Sequence, residues 1–202
     1  MGEKTIVYYT ANREKPEFEG KIIKHLLSVC GDLPIVSVSQ KRMDLGFNIC
    51  VGDIGHSYKN EFRQITLGAQ AAKTEYLIFA EADFLYPKEY FEFDPKGEVA
   101  YRNENVFVVF TYKKPQGMIL PRYHWKPFSL GTQICRKDYI LEHGFSEHTP
   151  YARYKTKTAC ISFKTGDSMS RSNVVGERKL VLPHWGDARD LVNEYINDTV
   201  LH

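Results

Sequence analysis

Short apolar runs and apolar positions at helical spacing alternate along the first half of the chain. Three runs rich in branched and aromatic residues, at 5–9, 33–39 and 76–80, are short enough to predict strands buried on both faces. Between them, apolar residues recur at helical spacing over 19–29 and 60–73, which predicts two helices. Because a strand–helix–strand order forms a right-handed parallel crossover, this half predicts a mostly parallel central sheet flanked by helices.

The second half has a less regular pattern. A polar segment at 40–59, long for a plain connection, separates the first helical unit from the next and is expected to be a functional loop. After residue 100 the pattern predicts strands at 105–112, 130–135 and 159–163, and helices at 137–142 and 187–196. With no internal repeat or linker, the chain predicts an α/β fold in one domain over 1–202, whose second half is a smaller mixed region.

The composition is that of an ordinary globular protein, with 43% hydrophobic and 26% charged residues in a chain of 202. The longest apolar runs, such as 106–110, are too short to span a bilayer, and the first residues lack the pattern of a secretory signal. The four cysteines show no Cys-x-x-Cys spacing. A zinc site is therefore not expected, and we expect a reduced protein in the cytoplasm, with no membrane partner.

The charge is unevenly distributed along the chain. Residues 102–181 hold 14 lysines and arginines against 6 acids, a net charge of +8, whereas the whole chain has a net charge of +2. Such a basic block is either a solvated face or a surface that steers a polyanionic partner toward one side of the molecule.

Two acidic residues end the central apolar run. Glu81 and Asp83 follow 76–80, and the alternation of side chains along a strand places both on one side. Neighbouring carboxylates at the end of a buried strand repel each other unless a cation lies between them. Oxygen ligands suit Mg²⁺ or Mn²⁺, which in turn bind phosphate oxygens. The plain alternative is a strand that ends in two solvent-exposed acids.

This series of motifs resembles the GT-A glycosyltransferases, near the family 2 type. The helix before the acids carries Gly68 and Ala72 at the family's small-residue positions, and 81–83 stands where the family has Asp-x-Asp. Further similarity lies at 131–145, which resembles the acceptor-side strand and Gly-Phe turn, and at His184. The resemblance implies a GT-A (Rossmann-like) fold in which 1–100 bind a nucleotide sugar and the rest binds the acceptor.

The resemblance also implies where the donor, a nucleoside-diphosphate sugar, is bound. The end of the first strand contacts the nucleotide in the family, and the corresponding residues are Thr10, Ala11, Asn12 and Arg13. Arg63 is a candidate for the diphosphate, because a guanidinium matches two phosphate oxygens. The family usually reads the nucleotide base with an Asp after the second strand, but residues 39–42 are Ser-Gln-Lys-Arg, which leaves the nucleotide open.

The metal in such a site would be Mn²⁺ or Mg²⁺, with Asp83 as its main ligand. Glu81 replaces the first Asp of the family motif and would contact the ion directly or through water. His184 is a candidate third ligand, since a neutral imidazole suits Mn²⁺. The ion would neutralise the charge that develops on the leaving nucleoside diphosphate.

The catalytic base is less well marked. An inverting transfer needs a carboxylate that takes the proton of the acceptor hydroxyl. Asp167 and Glu147 are the first candidates and Asp187 is a third, while a plain surface acid is the alternative for each. A retaining mechanism stays open.

The acceptor side holds two segments, 122–126 and 151–157, in which cations alternate with aromatic residues. Aromatic faces stack on sugars or bases, and cations pair with phosphates. Together with the basic block, these segments make DNA with a hydroxylated base a candidate acceptor, beside a glycan or a small molecule. We therefore expect a metal-dependent glycosyltransferase that acts on a hydroxyl acceptor. The rivals are a nucleotidyltransferase and a non-catalytic nucleic-acid-binding protein.

Overall fold

The first half of the chain forms the alternating units that its pattern predicts. The computed structural model describes residues 4–111, 121–127, 129–165 and 177–196. The elements up to the acidic pair are β1 (Lys4–Thr10), α1 (Pro16–Val29), β2 (Ile35–Ser39), β3 (Phe47–Cys50), α2 (Tyr58–Ala71) and β4 (Tyr76–Glu81). Strand β3 lies inside the segment 40–59 that the sequence predicts as a loop. It is a short edge strand in which Phe47 is 65% exposed, so its sequence lacks the apolar run from which a buried strand is predicted.

The second half contains more and shorter elements than the sequence predicts. They are β5 (Phe84–Leu85), α3 (Lys88–Glu92), β6 (Ala100–Asn103), β7 (Val106–Phe110), β8 (Tyr123–Trp125), β9 (Gln133–Arg136), α4 (Lys137–His143), β10 (Ala152–Tyr154), β11 (Cys160–Lys164), β12 (Arg178–Lys179), β13 (Val181–Leu182), β14 (Gly186–Asp187) and α5 (Ala188–Tyr195). The predicted strand at 130–135 begins instead as a 3₁₀ turn, Leu130–Thr132, before β9. The end of the predicted strand at 105–112 lies outside the described residues.

Two sheets organise these elements. The larger has the order β10-β6-β9-β4-β1-β2-β3, in which β9 is antiparallel to both neighbours and the other pairs are parallel. The smaller, mixed sheet has the order β12-β8-β7-β11-β5. The prediction of a mostly parallel sheet flanked by helices, with a smaller mixed region, is confirmed. The prediction of one domain over 1–202 stays a prediction.

Strand β4 is buried on both faces, as its unbroken apolar run predicts. Ile78 and Ala80 pack into a cluster with Ile6 of β1, and Phe79 packs on the opposite face with Val7. This central position brings the chain from the core directly to the acidic pair. Within the described residues, no helix is both long and apolar enough to cross a bilayer.

A glycine sets the distance between α2 and the sheet. A Cβ atom at Gly68 would lie 2.4 Å from Cγ1 of Val7, so a larger residue would push the helix away from β1. On the same face of the helix, Gln64 donates hydrogen bonds to the carbonyl oxygens of Thr10 and Val38, at the ends of β1 and β2. Helix α2 is thereby fixed with its first turn at the carboxyl edge of the parallel strands.

Candidate active site

The Glu81 carboxylate lies at the carboxyl edge of the central parallel strands. Glu81 is the last residue of β4 and stands opposite Tyr9 of β1 in the parallel register. The Tyr9 hydroxyl donates a hydrogen bond of 2.7 Å to Oε1 of Glu81, while the backbone N–H of Glu81 donates to the hydroxyl oxygen of Tyr86. These contacts orient the carboxylate at the strand end, where open α/β sheets bind ligands.

Gly131 leaves the space that the Glu81 side chain occupies. A Cβ atom at Gly131 would lie 2.4 Å from Oε1 of Glu81, so the turn Leu130–Thr132 closes over the carboxylate only because this residue lacks a side chain. The Tyr86 hydroxyl donates 2.8 Å to the carbonyl oxygen of Gly131 and holds the turn in place. The family resemblance places this glycine on the acceptor side. Its contact with Glu81 joins residues that are far apart in the sequence, so the sequence does not predict it.

Asp83 lies in the link between the two sheets and is largely buried. Its carbonyl oxygen accepts a hydrogen bond from the backbone N–H of Phe163 in β11, which ties the link to the smaller sheet. Its Oδ2 lies 3.5 Å from Nζ of Lys164, and the side chains are 14% and 6% exposed, respectively. Asp83 is thus not a surface acid, and a buried ammonium group stands beside it.

Two further charged side chains, Glu61 and Lys126, interact with this pair. Glu61 is in the first turn of α2, one turn before Gln64, and burial followed by the charges of Glu81 and Asp83 raises its pKa to about 8. Lys126 follows β8, and burial followed by the charge of Lys164 lowers its pKa to about 8. The pKa of Glu81 is itself raised to about 7 by burial and by Asp83. We call Glu61, Glu81, Asp83, Lys126 and Lys164 the charge cluster.

The residues predicted to contact the nucleotide lie at the end of β1, on the same edge. Asn12 adopts a positive φ of 50° and donates its backbone N–H to Oγ1 of Thr10, while its Oδ1 accepts from the backbone N–H of Lys41. These bonds fix the turn that contains Ala11, whereas the side chain of Arg13 is exposed. The arrangement presents a rigid turn with a polar rim beside the charge cluster.

Arg63 is not brought to the charge cluster. It lies two residues after Glu61 on α2 and is exposed, and residues two apart on a helix do not share a face. The cations near the carboxylates are instead Lys126 and Lys164. The sequence pattern gives little indication that these two lysines belong to the site. Lys164 is the last residue of β11, just as Glu81 is the last residue of β4.

His184 lies away from Asp83. It is in the turn between β13 and β14, where its ring packs edge-on against Trp185 at 4.7 Å. The indole N–H of Trp185 donates to the carbonyl oxygen of Ala159, just before β11, whereas Lys164 ends the same strand beside Asp83. Five residues of strand separate these points by roughly 17 Å. One ion would not contact both His184 and Asp83 in this arrangement.

The candidate bases have different positions. Glu147 is exposed, with Oε1 3.6 Å from Nε2 of His148, and its charge contributes to the raised pKa of Tyr58, after burial and Glu61. Asp167 lies outside the described residues. Asp187 caps α5 by accepting the backbone N–H of Arg189, and hydrogen bonds from Arg189 lower the pKa of Asp187 to about 2. A helix cap accounts for Asp187 without a catalytic role.

The aromatic residues of the two mixed segments are mostly packed inside the protein. Tyr123 is fully buried, and Tyr154 stacks on Phe93 with 4.0 Å between ring centroids. The ring of Tyr151 lies under the guanidinium of Arg102, at 3.7 Å. Tyr123 and Tyr154 are therefore not free to stack on an acceptor, whereas Tyr151 is partly exposed and Trp125 is half-buried.

The comparisons with known proteins concern the fold. Neither a protein-family model nor a curated protein sequence matches the chain. The structure of S. aureus TarS 1-349 in complex with UDP-GlcNAc is similar, with a TM-score of 0.51, 13% sequence identity, and coverage of 82% of this chain and 60% of that chain. The chain has a GT-A-like fold. It spans 60% of that TarS fragment.

Two other solved structures are less similar. The mannosyltransferase PcManGT from Pyrobaculum calidifontis, in complex with GDP-Man and Mn²⁺, has a TM-score of 0.47, 12% identity, and coverage of 81% of this chain and 56% of that one. The bifunctional IspDF from Campylobacter jejuni has a TM-score of 0.45, 11% identity, and coverage of 77% and 50%.

The carboxyl edge of the larger sheet suits a divalent ion whose ligands come partly from the substrate. Its described residues do not suit an ion held by protein ligands alone. Among the residues that the structure describes, no group of three or more His, Cys, Asp or Glu side chains is placed to hold an ion. Mg²⁺ needs only one or two carboxylates when substrate phosphates and water complete its shell. Asp83 and Glu81 provide two such carboxylates. Burial and then the charge of Asp83 raise the pKa of Glu81, and a cation would relieve the second of these effects.

Proposed function

We propose that the chain is a glycosyltransferase that uses a nucleoside-diphosphate sugar and Mn²⁺ or Mg²⁺ and acts on a hydroxyl acceptor. The observation that carries the proposal is the charge cluster, partly or fully buried at the carboxyl edge of the parallel strands in a GT-A-like fold. Paired buried charges are costly to retain for stability alone, and perturbed pKa values cluster at functional sites.

In this proposal the side chains of the cluster divide into two roles. Asp83 and Glu81 would hold the ion together with the diphosphate oxygens. Lys164 and Lys126 would pair with phosphate oxygens. The ammonium group of Lys164 lies 3.5 Å from Asp83, and the charges of Glu81 and Asp83 act on Lys126. The ion itself supplies charge neutralisation for the leaving nucleoside diphosphate.

The donor nucleotide would lie along the turn at Thr10, Ala11, Asn12 and Arg13. The hydrogen bonds of Asn12 hold this turn at the end of β1, beside the strand end that carries Glu81. A turn that is fixed before the ligand arrives loses little conformational entropy on binding. UDP-GlcNAc is the first donor to test, because it is bound in the similar TarS structure.

For the proton of the acceptor hydroxyl, Glu147 and Asp167 are the proposed bases. Glu147 is an exposed carboxylate whose charge is the smallest of the contributions to the raised pKa of Tyr58, at the start of α2. The acceptor itself is a hydroxyl compound. A hydroxylated base in DNA is the variant that the net charge of +8 over 102–181 supports, and a glycan or small molecule is the alternative.

The test is donor turnover with Mn²⁺, measured as release of nucleoside diphosphate from a panel of nucleoside-diphosphate sugars. Asp83→Asn is expected to lower the rate about a hundredfold or more, since even indirect metal-site changes cost about 10–100-fold. Asp32→Asn is the matched control, because Asp32 is an exposed acid before β2, at the opposite edge of the sheet. Full activity of Asp83→Asn would contradict the proposal.

Two other outcomes would favour the rival functions. Release of pyrophosphate from a nucleoside triphosphate would indicate a nucleotidyltransferase. Binding to DNA that weakens steeply with salt, unchanged by metal and by Asp83→Asn, would indicate a nucleic-acid-binding protein without catalysis.

A further inference from the structure

A cavity lies on the smaller sheet, away from Asp83 and Lys164. Its volume is about 260 Å³, and three aromatic side chains, Phe107, Trp125 and Trp185, form much of its wall. Lys179 and His184 also line it. The volume is below the roughly 300–1,000 Å³ of sites for drug-sized ligands, so the cavity suits a ligand about the size of one sugar ring.

The two indole rings are held in fixed orientations by the protein itself. The indole N–H of Trp185 donates 2.8 Å to the carbonyl oxygen of Ala159, and that of Trp125 donates 3.3 Å to the carbonyl oxygen of Glu104. Because both polar ends have backbone partners, the rings offer the cavity their apolar surfaces. Rigid aromatic walls of this kind pack against the C–H face of a sugar without further ordering.

The rim of the cavity carries positive charge. Lys157 and Lys179 line it, and none of the lining residues that the structure describes is acidic. Nζ of Lys179 lies 5.8 Å from the centroid of Phe107 and 3.2 Å from Oε2 of Glu177, in an exposed ion pair that contributes little to stability. An anionic ligand can therefore replace Glu177 as the partner of Lys179 at small cost.

The Glu89 carboxylate is engaged with the backbone that carries Lys157. The carboxylate of Glu89 accepts the backbone N–H groups of Lys157 and Thr158 and the hydroxyl of Thr158. These bonds fix the backbone of the cavity wall and leave the ammonium group of Lys157 as the charge that an anion would meet. The cavity thus combines aromatic walls, around a space large enough for one sugar ring, with cations at its rim.

The cavity lies at one end of β11, and Asp83 and Lys164 of the charge cluster lie at the other. Ala159, which lines the cavity, precedes this strand, and Lys164 ends it beside Asp83. The separation along the strand is roughly 17 Å, so one monosaccharide cannot occupy both sites.

We propose that this cavity binds a monosaccharide unit that carries a phosphate or a carboxylate group. The aromatic walls contact the ring, and Lys179 and Lys157 pair with the anionic group. The proposal does not depend on sugar transfer at the charge cluster, because it concerns binding at a separate place and is tested without catalysis.

Tryptophan fluorescence tests it directly, since the chain has two tryptophans and both line the cavity. The probes are glucose 6-phosphate, glucuronate, glucose and inorganic phosphate, each titrated into the full chain. Glucose 6-phosphate, glucuronate or both are expected to change the emission saturably, and glucose and phosphate to bind about tenfold more weakly. A response to one anionic sugar and not the other identifies which anionic group the cavity takes.

Charge variants locate the site. Lys179→Gln is expected to raise the dissociation constant of the anionic sugar about tenfold, and Lys157→Gln serves as a second variant on the same rim. Lys155→Gln is the matched control, because this exposed lysine is close in sequence and does not line the cavity. Circular dichroism checks that each variant is folded.

Four results would overturn the proposal. They are the absence of a saturable change with either anionic sugar, equal affinity for glucose, equal affinity for inorganic phosphate, and unchanged affinity in both folded rim variants. None of them bears on the role of Asp83, so failure here is distinct from failure of the proposed glycosyltransferase function.

Discussion

Replacing Gly131 by alanine would place a methyl group against the Glu81 carboxylate. The added Cβ would lie 2.4 Å from Oε1, and that oxygen accepts the 2.7 Å hydrogen bond from the Tyr9 hydroxyl. Gly131 is not in the left-handed backbone region, so alanine meets no strain from φ. The cost must therefore come from displacing the carboxylate or the turn Leu130–Thr132.

The magnitude follows from three contributions. Overpacking costs about 1–3 kcal/mol, and loss of a hydrogen bond to a charged group costs about 1.5–3 kcal/mol. Against this, alanine reduces the entropy of the unfolded chain, which stabilises by about 0.4–1 kcal/mol. Since the turn can yield and Glu81 is half-buried, we expect a net loss of about 2 kcal/mol, or about 4–8 °C in Tm.

Thermal and urea unfolding measure this loss, with Gly20→Ala as the control. Gly20 lies in α1 with nothing within 4 Å of its added Cβ, so alanine there is expected to stabilise the protein by about 0.5–1 kcal/mol. A double-mutant cycle assigns the cause: in a Glu81→Ala background, Gly131→Ala should become nearly neutral. If its cost is the same in both backgrounds, the contact with Glu81 is not its origin.

The remaining predictions concern helix placement and acid stability. Gly68→Ala is expected to cost about 1–2 kcal/mol in urea unfolding, because its Cβ would lie 2.4 Å from Cγ1 of Val7, and the cost should largely vanish in a Val7→Ala background. Hydrogen bonds from Arg189 lower the pKa of Asp187 in the folded state to about 2, so the carboxylate stabilises the protein above its ordinary pKa of 3.8. This contribution is lost as the pH falls through about 2. The stability deficit of Asp187→Ala, followed by denaturation at several pH values, should therefore be full at neutral pH and shrink toward pH 2. A deficit that does not change with pH would contradict the role of the carboxylate.

The apolar pattern predicts the central strands because a strand that is buried on both faces needs an unbroken run of apolar residues. Residues 76–80 contain no polar position, and β4 is buried on both faces. The same apolar run ends at residue 80, so it also predicts that the carboxylates at 81 and 83 lie at the end of the strand. Strand β3 escaped prediction because its residues are half-buried or exposed, and an edge strand needs no apolar face.

The other members of the charge cluster could not be predicted because they arrive by tertiary contacts. Lys164 reaches Asp83 only when β11 joins β5, and Lys126 follows β8, a strand that the sequence does not predict. Glu61 looks like an ordinary acid in the first turn of a helix. The family resemblance makes His184 a candidate metal ligand, but His184 and Asp83 lie at opposite ends of β11.

Ligand-dependent melting tests the central claim most directly, namely that the charge cluster binds a nucleoside diphosphate and a divalent ion. Nucleoside diphosphates and nucleotide sugars, UDP-GlcNAc among them, are added with and without Mn²⁺, and each variant is compared with its own ligand-free Tm. At a ligand concentration of about 100 times Kd, binding stabilises the folded state by about 2.7 kcal/mol, which raises Tm by about 5–10 °C. The account predicts a metal-dependent rise of this size in the wild type and in Asp32→Asn, and its loss in Asp83→Asn. No rise with any of these ligands, or an equal rise in Asp83→Asn, would contradict it.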